Sequence, residues 1–324
     1  MSARRRLAAL RLAPDGRPRP QAPVGRGPLA ASVLARVIDV AALVGSRLPA
    51  GAAHALALAG GTAEWALRPG KRRRLAANLA RAVELPADSP EVRRLVREEV
   101  LNEARRSADL LWALGRRDAF LASVELDGVE HVHEALARGN GVILAGIHVG
   151  GWEVATAVPH AVVPVPTTAI VADDWLAWAI EHMRTTAGLR VLYRGESMLR
   201  AARRLRAGEA LLVLGDDGVG QPRGYPVRFV GGWAELPAGT VALARLCGAP
   251  IVSFYVLPHG PRRWHVHVDP PVEPPPRSSG QEGERRVLQA LADRWTEVIR
   301  AHPQHWTAVH RIRWLDGPPG EGSW

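Results

Sequence analysis

Apolar positions recur at helical spacing through the first third of the chain. Stretches 29–44, 54–67, 71–83 and 90–114 predict helices; the second closes at Arg68-Pro69-Gly70 and the fourth opens at Ser89-Pro90. The first is interrupted by Arg36 and Asp39 and falls short of the about 20 apolar residues a membrane span requires, so it fits an interfacial helix better than a spanning one. From Val124 onward the pattern changes. Short runs rich in Val, Leu and Ile predict strands over 142–147, 165–171, 189–193, 210–214, 250–257 and 264–268. Helical segments over 130–138, 175–187, 198–206, 237–246 and 281–300 lie between and after them, the first three stopped by Gly139, Gly188 and Gly208. Strands alternating with helices predict an α/β fold with a mainly parallel central sheet flanked by helices. The predicted organisation is a flexible basic tail over 1–28 and one domain over 29–324, with a helical part at 29–114 and an α/β part at 124–324. The proline-rich stretch 270–280 reads as a surface connection, not a domain linker.

Chemistry concentrates where strands end. In GVILAGIHVGGWEVA, residues 141–155, an apolar run delivers His148 to a glycine turn, followed by Trp152 and Glu153. A strand end entering a glycine turn is where α/β proteins place their sites. Histidine has the side-chain pKa nearest neutrality, so one held by a carboxylate serves as a general base. The competing reading is a satisfied strand-end histidine with a surface glutamate. A second cluster, Asp216-Asp217-Gly218, follows the apolar run ALLVL and emerges at the same kind of edge. Two carboxylates there fit either a divalent metal or one residue that orders the site loop, and no third ligand accompanies them. The third cluster is HPQHWTAVHRIRW, residues 302–314, whose His, Trp and Arg either shape the site entrance or pack as an amphipathic surface. His265 and His267 share a strand face, which is a solvated face more often than a metal pair.

Composition narrows the options. Cys247 is the only cysteine among 324 residues, which excludes an internal disulfide and a cysteine-ligated zinc. The net charge of +10 rests on arginine, since Lys71 is the sole lysine. A basic excess favours phosphate-bearing partners, and with no nucleic-acid-binding signature a membrane surface or a phosphorylated substrate fits best. No Walker loop or G-x-G-x-x-G follows a strand, so neither nucleotide-fuelled nor hydride chemistry is supported. The run Lys71, Arg72, Arg73, Arg74 is either a solvated helix face or a contact for lipid phosphates.

Four blocks in order, RLAANLARAV (residues 74–83), GVILAGIHVGGWE (141–153), the stretch 205–252 around LLVLGDDGVG, and HPQHWTAVHRIRW, resemble the bacterial lipid A biosynthesis acyltransferase family, which includes phosphatidylinositol mannoside acyltransferases. The resemblance covers roughly 29–320. It implies a single acyltransferase domain with membrane-associated N-terminal helices, on the cytoplasmic face of the plasma membrane as a peripheral protein, needing no cofactor. It also implies transfer of a fatty acyl group from acyl-CoA or acyl carrier protein to a hydroxyl of a glycolipid. By the same resemblance His148 is the base and Glu153 the acidic end of His-x4-Asp/Glu, holding the imidazole in its tautomer. Asp216, Arg184 and the pair His310-Arg311 match family positions grouped here with substrate binding, and the Gly150-Gly151 turn offers backbone N–H groups to an oxyanion. Two departures bear on acceptor identity: Gly151 stands where the family often has asparagine, and Asp217 where a basic or amide residue is expected. Acceptors other than a phosphatidylinositol mannoside-like lipid are a lipid A precursor or a secondary metabolite. Outside the class stand a metal-dependent glycosyltransferase using Asp216 and Asp217 and a lipid-binding protein without turnover.

Overall fold

The computed structural model describes residues 5–6, 29–153, 158, 162–172, 181, 184, 188–194, 198–217, 224–307 and 312–317. Its first third is helical as expected: α1 (Leu29–Gly45), α2 (Ala50–Leu67), α3 (Pro69–Val83) and α4 (Pro90–Gly115). Ser89 Oγ accepts from the Val92 N–H at 3.2 Å, and Pro90 occupies the first helical position, where a missing N–H costs nothing. The face of α4 carrying Val92, Leu95, Val96 and Val100 is buried, and α1, α2 and α3 all pack against this helix. Among the described residues, no helix is long and apolar enough to cross a membrane.

The basic run at the start of α3 corrects one expectation. Lys71 is not available to lipid phosphates: its ammonium lies between Glu64 at 3.2 Å and Glu103 at 2.5 Å. Burial alone would lower its pKa, but the charge and hydrogen bond of Glu103, with Glu64 and Glu99, raise it above the ordinary lysine value. Arg72 lies over the Trp65 ring at 4.9 Å and donates to the carbonyl of Ala66 at 3.1 Å. Arg73 and Arg74 are the members of the run left exposed.

The remaining elements alternate. They are β1 (Arg5–Arg6), α5 (Arg117–Ala122), β2 (Val124–Asp127), α6 (Glu130–Ala137), β3 (Val142–Gly150), β4 (Thr167–Val171), β5 (Arg190–Tyr193), α7 (Met198–Arg206) and β6 (Ala210–Leu214). There follow β7 (Gly224–Phe229), β8 (Gly232–Pro237), α8 (Gly239–Cys247), β9 (Ile251–Pro258), β10 (Trp264–Val268), α9 (Gly280–Ala301) and β11 (Arg313–Leu315). The main sheet runs β1-β2-β10-β9-β3-β6-β4-β5 and is parallel except for β1 on β2 and β10 on β9. Residues 259–263 are too short a connection for a crossover, which makes β9 and β10 a hairpin. The fold is therefore mixed α/β with a mostly parallel central sheet.

Alternation along β3 splits the core. Ile143, Ala145, Ile147 and Val149 join apolar residues of α3, α4, α7, α8 and α9 on one face. Val142 and Leu144 join Phe120, Val132, Ala135 and Trp264 on the other. Every residue of β3 is buried, the signature of a strand covered on both sides.

Several elements were not predicted: α5, β2, and the antiparallel sheet β11-β8-β7. In the last, Tyr225, Val227 and Phe229 alternate with partly exposed positions. Val230 (φ 44°) and Gly231 (φ 76°) make a two-residue turn with both central φ angles positive, the hairpin geometry that favours glycine. The predicted helix 175–187 falls almost wholly outside the described residues, as does the basic tail beyond Arg5–Arg6, which add to the sheet edge beside β2.

Candidate active site

β3 carries His148 to the carboxyl edge of the sheet, and the neighbouring parallel strand β6 delivers Asp216 to the same edge. The two meet there. His148 Nδ1 lies 2.6 Å from Asp216 Oδ1, and the His148 backbone N–H donates to the same carboxylate at 3.1 and 3.2 Å. A carboxylate only accepts, so Nδ1 carries the proton and Nε2 keeps its lone pair. The indole of Trp306 donates to Asp216 Oδ2 at 3.3 Å, and Asp216 is 1% exposed. Burial works against the imidazolium of His148, but the charge and hydrogen bond of Asp216 outweigh it. Asp217 and Glu153 add to the pull, so the His148 pKa lies above the ordinary histidine value.

The geometry sets the two carboxylates of the expected site differently about the ring. Glu153, half-buried in the turn after β3, is not the hydrogen-bond partner of Nδ1; Asp216 is. Asp216 reaches the ring from the neighbouring parallel strand, two residues beyond the end of β6, whereas Glu153 follows His148 in the turn after β3. Glu153 still acts on the site through its charge: burial raises its pKa above the usual carboxylate range, against the pull of Arg106 and His148. Asp216, grouped with substrate-binding residues by the sequence, instead turns its two oxygens to His148 and Trp306. Asp217 diverges from it and pairs with Arg194 at 3.1 Å. Among the described residues no group of three or more His, Cys, Asp or Glu side chains could hold a metal.

The glycine turn also differs from expectation. The Gly151 N–H donates to the Val256 carbonyl at 3.0 Å and is not free for an oxyanion. Gly150 has φ 58°, and a Cβ there would sit 1.9 Å from the Val256 oxygen. Both glycines thus let β3 bulge against β9, where the register shifts between Gly146 and Gly150, and this re-aims the chain after His148.

The C-terminal cluster supports the site from behind. The Thr307 N–H donates to the His148 carbonyl at 2.8 Å, Val149 bridges Trp306, and the Trp306 ring is 1% exposed. Thr307 Oγ1 in turn accepts from Arg106 on α4 at 3.2 Å, and the same guanidinium nitrogen donates to Glu99 at 3.3 Å. Glu99 is fully buried, and burial pushes its carboxyl up to about 7 against the attraction of Arg106. Burial, with the charge of Arg106, lowers His305 to about 4. The density of Trp, His and Arg in residues 302–314 was the visible signal; the link to Arg106 was not legible, because it joins residues 201 positions apart. His310 and Arg311 lie outside the described residues.

Apolar space adjoins the histidine. The Trp152 ring meets the imidazole edge-on at 4.9 Å between centroids, and Trp152 lines a small cavity of about 50 Å³ with Arg184, Ala169, Val171, Leu212 and Phe254. Leu212 and Phe254 also line a second small cavity of about 40 Å³, walled by Leu126, Val132, Leu144 and Val266. The sequence-predicted Arg184 is 9% exposed and so belongs to the wall of the first cavity. The arrangement offers a histidine base, a buried carboxylate behind it, and apolar volume beside it.

The family profile described as "Bacterial lipid A biosynthesis acyltransferase" matches residues 37–316. A protein named phosphatidylinositol mannoside acyltransferase from Mycolicibacterium smegmatis is 29% identical over 289 residues, covering 84% of this chain and 90% of that protein. One of the same name from Mycobacterium tuberculosis H37Rv is 27% identical over 201 residues, 59% of this chain and 60% of that protein.

Proposed function

The chain belongs to the bacterial lipid A biosynthesis acyltransferase family and is an acyltransferase, and we propose that it moves a fatty acyl group from acyl-CoA or acyl carrier protein to a hydroxyl of a phosphatidylinositol mannoside-like glycolipid, with His148 as general base. The observation that carries this reading is the 2.6 Å contact of His148 Nδ1 with buried Asp216, which fixes the tautomer and leaves Nε2 as the proton acceptor. Nε2 takes the acceptor's hydroxyl proton as that oxygen bonds to the thioester carbon, whose C=O electron pair moves to oxygen. The pair then returns, the C–S bond breaks, and the thiolate takes the proton from His148. No covalent enzyme intermediate is required, since the thioester is already activated. The two cavities that share Leu212 and Phe254 supply apolar walls for the acyl chain, and the acceptor's resemblance to the lipids named for the mycobacterial relatives supports its class.

In the same reading the enzyme works as a peripheral protein on the anionic cytoplasmic face of the plasma membrane. Val33, Val37, Val40 and Val44 form an exposed apolar stripe along α1, and Leu56 and Leu67 are exposed on α2. Such a stripe fits the interfacial zone, and the exposed guanidinium groups of Arg73 and Arg74 suit lipid phosphates.

The test combines labelled palmitoyl-CoA, or the carrier-protein thioester, with a polar lipid extract and the purified protein, with His148→Ala in parallel. The expected outcome is a His148-dependent acylated glycolipid by mass spectrometry. An acylated product that is not a glycolipid would overturn the acceptor; thioester left intact with both carriers would overturn the reaction.

A further inference from the structure

In acyl transfer from a thioester the carbonyl oxygen gains negative charge, and N–H groups already aimed at it supply a large part of the rate. Of the two expected donors, the Gly151 N–H is engaged by the Val256 carbonyl. The next residue offers another. Trp152 Nε1 is buried from solvent and meets no hydrogen-bond acceptor among the described residues. Its ring stands at 69° to the imidazole of His148 with centroids 4.9 Å apart, and the same side chain lines the apolar cavity beside Arg184, Leu214 and Phe254.

An indole N–H is a donor only, and a buried one normally finds a partner. Three other buried or partly buried indoles among the described residues do: Trp295 donates to Ser253 at 3.2 Å, Trp306 to Asp216 at 3.3 Å and Trp314 to Asn78 at 2.9 Å. A buried donor left open next to the base, on the wall of an apolar cavity, is a group held ready for an incoming acceptor.

We propose that the Trp152 Nε1–H is a catalytic donor that binds the thioester carbonyl oxygen beside His148 and stabilises the oxyanion formed when the acceptor oxygen attacks. The proposal rests on the acyl-transfer reading and names a group of the reaction that reading leaves unassigned. The electron pair displaced from the carbonyl bond resides on the oxygen facing Trp152 until the C–S bond breaks, and the indole keeps its proton throughout.

Trp152→Phe retains an aromatic edge against His148 and removes the N–H. A protein carrying 3-benzothienylalanine in place of Trp152 retains the full bicyclic shape as well, which guards against a packing artefact. With palmitoyl-CoA and glycolipid, both should lose about 10²- to 10³-fold in kcat, with the donor KM and the melting temperature little changed. Wild-type kcat in either protein, or a loss confined to KM, would overturn the assignment while inactive His148→Ala leaves the acyl-transfer reading standing. Equal rates for wild type and His148→Ala would overturn that reading, and the donor role with it.

Discussion

Asp216→Asn removes the charge that organises the site while keeping its shape, and the consequences can be worked from the contacts. Three donors converge on the carboxylate: His148 Nδ1–H at 2.6 Å, the His148 backbone N–H at 3.1 Å and the Trp306 indole at 3.3 Å. An amide presents one acceptor oxygen, so its NH₂ must face one of these donors. The ring relieves the clash by moving its proton to Nε2, which abolishes the base; a change of that kind costs about 10⁴-fold in turnover. Hydrogen bonds to a charged group contribute about 1.5–3 kcal/mol each, so weakening this set should cost about 2–4 kcal/mol of stability. Because Asp216 raises the His148 pKa above 6.5, the stabilisation of the imidazolium is complete below the unfolded value and is lost as pH rises through the folded one. The stability deficit of Asp216→Asn should therefore be larger at pH 5.5 than at pH 8.5. Activity needs neutral imidazole and runs the other way: the acid limb of the wild-type kcat profile should lie above pH 6.5, and residual activity in the variant should show it displaced downward. Single-turnover acyl transfer from pH 5 to 9 and urea unfolding at both ends measure these effects. A variant retaining a tenth of wild-type turnover with an unmoved acid limb would refute the argument.

Other outcomes follow from the same contacts. Arg106→Met leaves Glu99 buried without its partner and frees Thr307, and should destabilise by about 3–5 kcal/mol in urea unfolding; a loss under 1 kcal/mol would show that α4 does not brace the site. The His267 pKa is raised by its hydrogen bond to Asp269 against burial, with Asp127 adding, so wild type should lose stability between pH 6 and 8 relative to His267→Gln. The pair is partly exposed, which limits that difference to about 1 kcal/mol. Replacing Arg73 and Arg74 by Gln should weaken binding to anionic vesicles and reduce its salt sensitivity, whereas Lys71→Met should act mainly on stability, because Lys71 is engaged by Glu64 and Glu103.

The helices were legible because apolar spacing and end signals agree, as at Ser89-Pro90, and the buried parallel strands because they form continuous apolar runs. β2 and the β7–β8 hairpin escaped notice because each is short and half-exposed, although the alternation of Tyr225, Val227 and Phe229 before Gly231 was a readable signal. At the site, His148 and Asp216 were both visible as polar residues ending apolar strands. Their pairing was not: it depends on β6 lying beside β3, a fact of sheet order that spacing along the chain does not encode. The same limit is why sequence proximity points to Glu153, while the carboxylate at His148 Nδ1 in space is Asp216.

The role of His148 as the base of an acyl transfer is tested by kcat and melting temperature of His148→Gln with palmitoyl-CoA and a phosphatidylinositol mannoside acceptor. Loss of general-base catalysis alone predicts a fall of at least about 10²- to 10⁴-fold in kcat with a melting temperature within a few degrees of wild type. Undiminished turnover in a folded His148→Gln would contradict it.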